Sequence, residues 1–361
     1  MSNKIRVIAS YLPQFYRTPE NDLWWGKGFT EWTNVGKAKP LFKNHYQPKV
    51  PADLGYYDLR FPETRKAQAD MARQFGVEGF CYWHYWFGNG RKLLERPFNE
   101  VLKLGEPDFP FCLAWANETW SGIWHGAKNK ILIEQFYPGK EDYIKHFYDV
   151  LPALLDQRYI KINGKPIFMI YNPFAIPDTK LFINTWQNLA AKNGLHEIYF
   201  IAQTTDYRKI DSLLSLEYSA VNIVRLYDIE KLGISKVKRM TKLFFNNNHN
   251  LRVYNYSKAM KFFVSHDDSN INIIPTIIPN WDHSPRSGKK AFMLHNSTPE
   301  FFKEHVNQVF EIIKLKPKES RIAFIKSWNE WGEGNYLEPD IVHGTKYLEA
   351  LSHEIHKFQE V

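Results

Sequence analysis

An α/β chain folded as a (β/α)8, or TIM, barrel is what the 361-residue sequence predicts, and three observations predict it. Eight short apolar runs recur along the chain. Amphipathic helix-like stretches or long loops separate them. Polar and aromatic side chains gather after the C-terminal ends of the runs, the face on which such barrels place their functional loops. The fold needs about 250 residues, so the surplus is expected as long loops within one domain spanning 1–361.

The runs are Ile5–Ser10, Val77–Trp83, Pro110–Trp115, Pro166–Tyr171, Ile198–Gln203, Ala220–Val224, Ile273–Ile278 and Arg321–Lys326. Each is short, rich in Val, Ile and Phe, and without clean two-residue alternation, as suits strands of a parallel sheet buried on both faces. The helix-like stretches carry start and stop chemistry. Pro62–Phe75 opens on Pro and the acidic Glu63 and closes before Gly76. Phe301–Leu315 follows Ser297-Thr298-Pro299-Glu300, with Thr298 as N-cap and Pro299 at the first helical position. Leu93–Leu104, Glu141–Gln157, Thr179–Lys192, Tyr256–Val264 and Thr345–Phe358 complete the set. The long loops are Pro13–Arg60 after strand 1 and Arg225–Asn255 after strand 6. A doubly wound sheet is the main rival, but it would place a glycine-rich phosphate turn after strand 1. Here that strand runs into Tyr11-Leu12-Pro13-Gln14-Phe15.

Hydrophobic residues at 44% and charged residues at 24% describe a folded globular chain. The formal charge of +8 can attract polyanions or an anionic membrane face; nucleic acid is not among the expected partners. No secretory h-region and no transmembrane run is visible, so a soluble, cytoplasmic protein is expected. Cys81 and Cys112 fall inside apolar runs and read as buried thiols. Dinucleotide, P-loop, nucleophile-elbow, zincin and C-x-x-C motifs are all absent, as is an Asp-x-Asp clamp, so no cofactor and no metal is expected.

Eleven of the twelve tryptophans lie at strand ends or in the loops beyond, Trp186 being the exception. An indole offers an apolar plate with a polar handle, suited to stacking on the C–H face of a pyranose. Directly after strand 8, Ser327-Trp328-Asn329-Glu330-Trp331-Gly332-Glu333-Gly334 sets two carboxylates three residues apart on a glycine-relaxed turn. Cleaving a glycosidic bond takes two such groups, an acid for the leaving oxygen and a base or nucleophile. Close together in a poorly hydrated site they repel, which raises one pKa. Against this stands the plain reading of two solvated loop acids beside a core Trp. Glu31, Glu118 and Asp282 are expected to bind sugar hydroxyls or hold loops, as is Glu338. Arg286 is expected to bind an anionic group or pair with Asp282. His84 is a candidate ligand contact, though a lone His among aromatics is more often a core residue. Lys231, Lys236, Lys238, Arg239 and Lys242 read as a solvated helix face, with peripheral contact to a membrane or lipid-linked glycan as the minority reading.

Four segments then carry a family resemblance. Asn21–Trp32, Gly79–Phe87, Trp115–Trp120 and Trp328–Gly334 closely resemble the WbsX-type family, whose members are labelled glycosyltransferases of bacterial surface-polysaccharide clusters. The Asn329-Glu330-Trp331-x-Glu333-Gly334 core is more distantly similar to glycoside hydrolase family 99, the endo-α-mannosidases, which are (β/α)8 barrels. The resemblance implies that Glu330 is the base and Glu333 the acid. It also implies retention through an anhydro-sugar, the base deprotonating the sugar's own 2-hydroxyl. Gly332 departs from the pattern, standing where the hydrolases commonly carry His.

The expected activity is therefore metal-independent and hydrolase-like, on an α-linked, mannose-like residue of a bacterial surface polysaccharide. Trp24, Trp25, Trp115, Trp120, Trp281 and Trp331 are the expected platforms. Trp32, Tyr85, Trp86, Asn117 and Asn329 are expected beside them as further contacts. The alternatives are a glycosyltransferase of lipopolysaccharide or capsule assembly and a non-catalytic carbohydrate-binding protein.

Overall fold

The computed structural model describes residues 5–122, 131–232 and 251–359. Eight parallel strands form the barrel: β1 (Arg6–Tyr11), β2 (Gly79–Trp86), β3 (Phe111–Trp115), β4 (Lys165–Ile170), β5 (Tyr199–Thr204), β6 (Ala220–Ile223), β7 (Ile273–Ile277) and β8 (Ile322–Ile325). Each pairs with the next in chain order, and β8 returns to β1 through Arg6–Ile322 to Ala9–Ile325, closing the ring. Every expected run is a barrel strand. Closure explains the missing alternation, because one strand face fills the barrel and the other packs under helices.

Local chemistry also sets the helix ends. Thr298 accepts the Phe301 N–H at 3.3 Å and Asp178 the Leu181 N–H at 2.9 Å, starting the helices Pro299–Ile313 and Thr179–Lys192. Two boundaries differ from expectation. The helix expected from Leu93 begins at Arg96, because Lys92–Leu93 pairs antiparallel with Tyr85–Trp86 and Leu94 turns with φ at 58°. The stretch from Tyr256 is helical only to Ala259 and then tightens to 3-10 geometry.

The loop after β1 holds two short helices, Pro19–Trp25 and Glu31–Lys37, which bring Trp25 and Glu31 over the barrel mouth. In the loop after β6, Arg252–Asn255 pairs in parallel with Phe292–His295 from the loop after β7. Over this pair sits a separate apolar cluster containing Val224, Tyr256, Trp281 and Phe292. Lys231 donates to the Thr205 carbonyl at 2.7 Å; Lys236, Lys238, Arg239 and Lys242 lie outside the described residues. Cys81 and Cys112 are buried free thiols in register on β2 and β3. Among the described residues no helix is long and apolar enough to cross a membrane.

Candidate active site

Glu330 and Glu333 leave β8 on the short 3-10 turn Trp331–Glu333, which Gly334 ends at φ 62°. The turn is clamped from both sides. Asn329, wholly buried, donates to the Leu12 carbonyl at 3.0 Å and accepts its N–H at 2.8 Å, tying the β8 loop to the end of β1. The Asp282 N–H donates to the Glu333 carbonyl at 2.7 Å. A side chain at Gly334 would run into Asp282, so that position is held to glycine by packing as well as by φ.

Both carboxylates open into a cavity of about 210 Å³ at the C-terminal mouth of the barrel, together with Glu31, Glu118, Trp25, Trp83, Tyr85 and Trp120. Arg286 organises it. Its Nη1 donates to Glu333 Oε1 at 2.7 Å and to Glu330 Oε1 at 3.1 Å, while Nη2 and Nε reach Glu31 Oε2 at 3.1 and 3.2 Å. The expected pairing of Arg286 with Asp282 is replaced by this three-carboxylate cluster. Gly332 is the residue that allows it. A methyl group there would overlap Glu31 Oε2 and stand 3.1 Å from Arg286 Nε, so the Glu31–Arg286 pair fills the space a side chain at 332 would need.

Three carboxylates around one guanidinium cannot all ionise cheaply. Burial and the neighbouring Glu333 charge push Glu330 up to about 7, against the pull of Arg286 and Lys326. Glu333 moves the other way. Burial opposes its charge, yet Arg286 and the His283 Nε2, 3.5 Å away, hold it well below the ordinary range. A proton shared by the pair is therefore favoured on Glu330 over Glu333. Burial also raises Glu118.

Several expected contacts lie elsewhere, and strand parity explains most of them. On β2, Cys81, Trp83 and Tyr85 face the barrel axis, so His84 and Trp86 point outward under the helix Lys140–Leu155. There His84 Nε2 meets His146 Nε2 at 2.9 Å, and Trp86 stacks on the His146 ring with centroids 4.8 Å apart. Trp115 shares that layer, its Nε1 donating to the Trp86 carbonyl at 2.8 Å. All three lie outside the cavity of Glu330 and Glu333, in the layer between the barrel and that helix. Asn117 is 1% exposed and braces the β3 and β4 loops through Asn172. Trp331 is fully buried, donating to Glu338 Oε2 at 2.7 Å, and Trp32 packs against it. Trp24 backs Trp120 from behind. Trp281 lines a neighbouring cavity of about 420 Å³ that shares Tyr171, Lys326 and Glu333 with the first. Asp282 faces a third cavity, its carboxylate taken by His45, Gln47 and the Ser284 N–H.

Trp83, Tyr171, Lys326, Gln14 and His283 complete the site without having been singled out. Parity was the available signal for Trp83, which shares its face with Tyr85. Tyr171 and Lys326 end the expected runs of β4 and β8.

Solved structures share this architecture. The glycoside hydrolase family 99 endo-α-mannosidase of Bacteroides thetaiotaomicron superposes with a TM-score of 0.60 over 98% of both chains at 13% identity. Its complex with bis-tris-propane gives 0.58. A glycoside hydrolase-like protein gives 0.59 over 98% of this chain and 94% of its own, at 16% identity. At these identities the likeness is one of fold. Sequence places the chain more closely: residues 7–351 match the family described as Glycosyltransferase WbsX, and the chain belongs to that family of glycan-active enzymes. The uncharacterized protein WxcX of Xanthomonas campestris pv. campestris, from strains B100 and ATCC 33913, is 32% identical over 358 residues. The match covers 98% of this chain, which spans about half the length of these curated relatives.

Proposed function

We propose that the protein cleaves or transfers an α-linked, mannose-like residue of a bacterial surface polysaccharide by a retaining, metal-independent mechanism, with Glu330 as base and Glu333 as acid. The carrying observation is the contact of one Arg286 nitrogen with both carboxylates, at 3.1 and 2.7 Å, inside an indole-lined cavity. The two oxygens stand closer than the sum of those contacts. Trp25, Trp83 and Trp120 supply apolar plates, and Glu31 and Glu118 are placed to accept sugar hydroxyls.

Burial and Arg286 favour the proton on Glu330, opposite to these roles, so substrate entry has a second task. With Glu333 as the acid and Glu330 as the base, a bound sugar has to shift the shared proton from Glu330 to Glu333, the reverse of that bias. The transferase reading has an observation of its own. The adjoining 420 Å³ cavity meets the pair at Glu333 and carries Lys326, Lys290 and Arg252, cations able to face a phosphorylated donor.

An oligosaccharide panel, with and without sugar nucleotides, separates the readings: turnover dependent on a nucleotide donor would replace hydrolysis by transfer. Glu330→Gln and Glu333→Gln should each lose at least about 100-fold in activity, the usual scale for an acid–base group. With an aryl glycoside whose leaving group needs no proton, Glu333→Gln should recover and Glu330→Gln should not. Recovery of Glu330→Gln instead would reverse the roles. Full activity in both variants would refute the catalytic assignment of the pair, and no turnover of any glycan by the unaltered protein would leave a carbohydrate-binding protein.

A further inference from the structure

Behind the catalytic turn, on the face of Asp282 and Gly334 away from Glu330, lies a separate cavity of about 300 Å³. The loops after β7 and β8 and the segment Asn44–Lys49 wall it, all within described residues. Exposed Asn44, Asn296 and Val342 form its mouth. At its base lies Lys49, only 6% exposed. Among the described residues its ammonium meets two rings, Tyr46 at 4.8 Å and Tyr336 at 5.6 Å, and has no hydrogen-bond acceptor or ion-pair partner. A buried ammonium with no acceptor among the described residues has to take its acceptors from the cavity's contents.

Charge decides what those contents are. Asp282 and Asp340 are buried in the wall and held down to about 2, burial being outweighed by the donors around each carboxylate. Asp340 accepts from the Tyr336 hydroxyl and from the Val342 and His343 N–H groups. His45 accepts the Leu41 N–H on Nδ1 and donates Nε2–H to Asp282, a tautomer that adds no charge. Burial lowers the affinity of His295 for a proton. Lys49 thus faces two carboxylates, with Glu338 and, beside Asp340, His343 also in the wall, so the cavity offers an entering oxyanion no excess of cations. An uncharged polyol needs none. It offers lone pairs to Lys49 and hydroxyl donors to the aspartates, beside the Tyr336 ring that lines the cavity and stacks on Trp331 at 3.6 Å.

We propose that this cavity is a second saccharide site, binding one neutral pyranose ring through Lys49 and Tyr336 on the reverse side of the turn that carries Glu333. The inference rests on the glycan reading of the protein. A volume near 300 Å³ is at the small end of ligand pockets and suits a single ring. Its wall is also the catalytic turn, through Trp331 and the Asp282–Glu333 backbone bond, so a ring bound here braces Glu333 from behind.

Crystals of Glu333→Gln soaked in methyl α-D-mannopyranoside, and separately in inorganic phosphate, test it, with calorimetric titration of the same sugar in solution. Pyranoside should occupy both cavities. Lys49→Met, and Val342→Trp at the exposed rim, should each weaken the second binding event about 10-fold or more, while the sugar stays in the cavity of Glu330. The rim variant carries the test if the buried one fails to fold. Pyranoside confined to the Glu330 cavity overturns this site and leaves the proposed function standing. Phosphate in place of sugar makes it an oxyanion site. No pyranoside in either cavity removes the glycan reading and this inference with it.

Discussion

Two aromatic walls of the barrel are built from the same stretches of sequence and do opposite work. Trp83, Tyr85 and Trp120 line the cavity of the acid pair, whereas Trp86, Trp115 and Trp186 pack around His146 in the layer between barrel and helices. Along β2 a single step, from Tyr85 to Trp86, separates ligand surface from core. An indole is equally suited to both roles, so composition cannot tell them apart; the two-residue alternation of the strand does.

The comparison breaks if the outward wall proves functional. Trp115→Ala should cost about 3–5 kcal/mol of stability, measured by denaturant unfolding. Any fall in activity should track the unfolded fraction; lost glycan affinity in a fully folded variant would refute the division. Trp120→Ala should do the reverse, weakening binding of an oligosaccharide about 10-fold with a smaller change in unfolding midpoint, because that ring is only half buried.

A second comparison concerns two carboxyl groups eight residues apart in the same loop. Glu330 and Glu338 are both buried and both pushed up to about 7. Glu338 lies outside the cavity of Glu330 and Glu333. Burial raises it, and it accepts from Trp331, Tyr57 and Gln68 at 2.6–2.8 Å, fixing the turn. A raised carboxyl pKa is therefore no mark of catalysis by itself. Folded Glu338 keeps a proton that the unfolded chain releases, so stability falls as pH rises from about 4.5 to about 7. Glu338→Gln should remove its share of that fall, about 1–3 kcal/mol, read as a flatter melting temperature between pH 5 and pH 8. An unchanged slope would mean that Glu338 is ionised in the native state. Glu330→Gln should flatten the same slope and also abolish turnover, which separates the two groups.

The barrel was legible in the sequence because eight β-branched, apolar runs and their capped helices are local signals. Thr298 caps its helix and Pro299 opens it in the structure as the sequence predicts. The acid pair was legible too, since Glu330 and Glu333 share one turn. What remained hidden depends on chain segments far apart. Arg286 reaches Glu31 across 255 residues, and no local pattern announces that meeting. The parity of β2 and β3 was obscured for a related reason. Strands buried on both faces show little hydrophobic alternation, so His84, Trp86 and Trp115 looked no different from Trp83 and Tyr85.

The sequence by itself determined the strand count, the helix caps and the rim on which two glutamates stand, because each follows from nearest-neighbour chemistry. Only the tertiary structure decided which aromatic faces line a cavity, on which acid a shared proton is favoured, and that Lys49 lies buried among tyrosines. Those are properties of enclosure, set by what the rest of the chain excludes from water around each group.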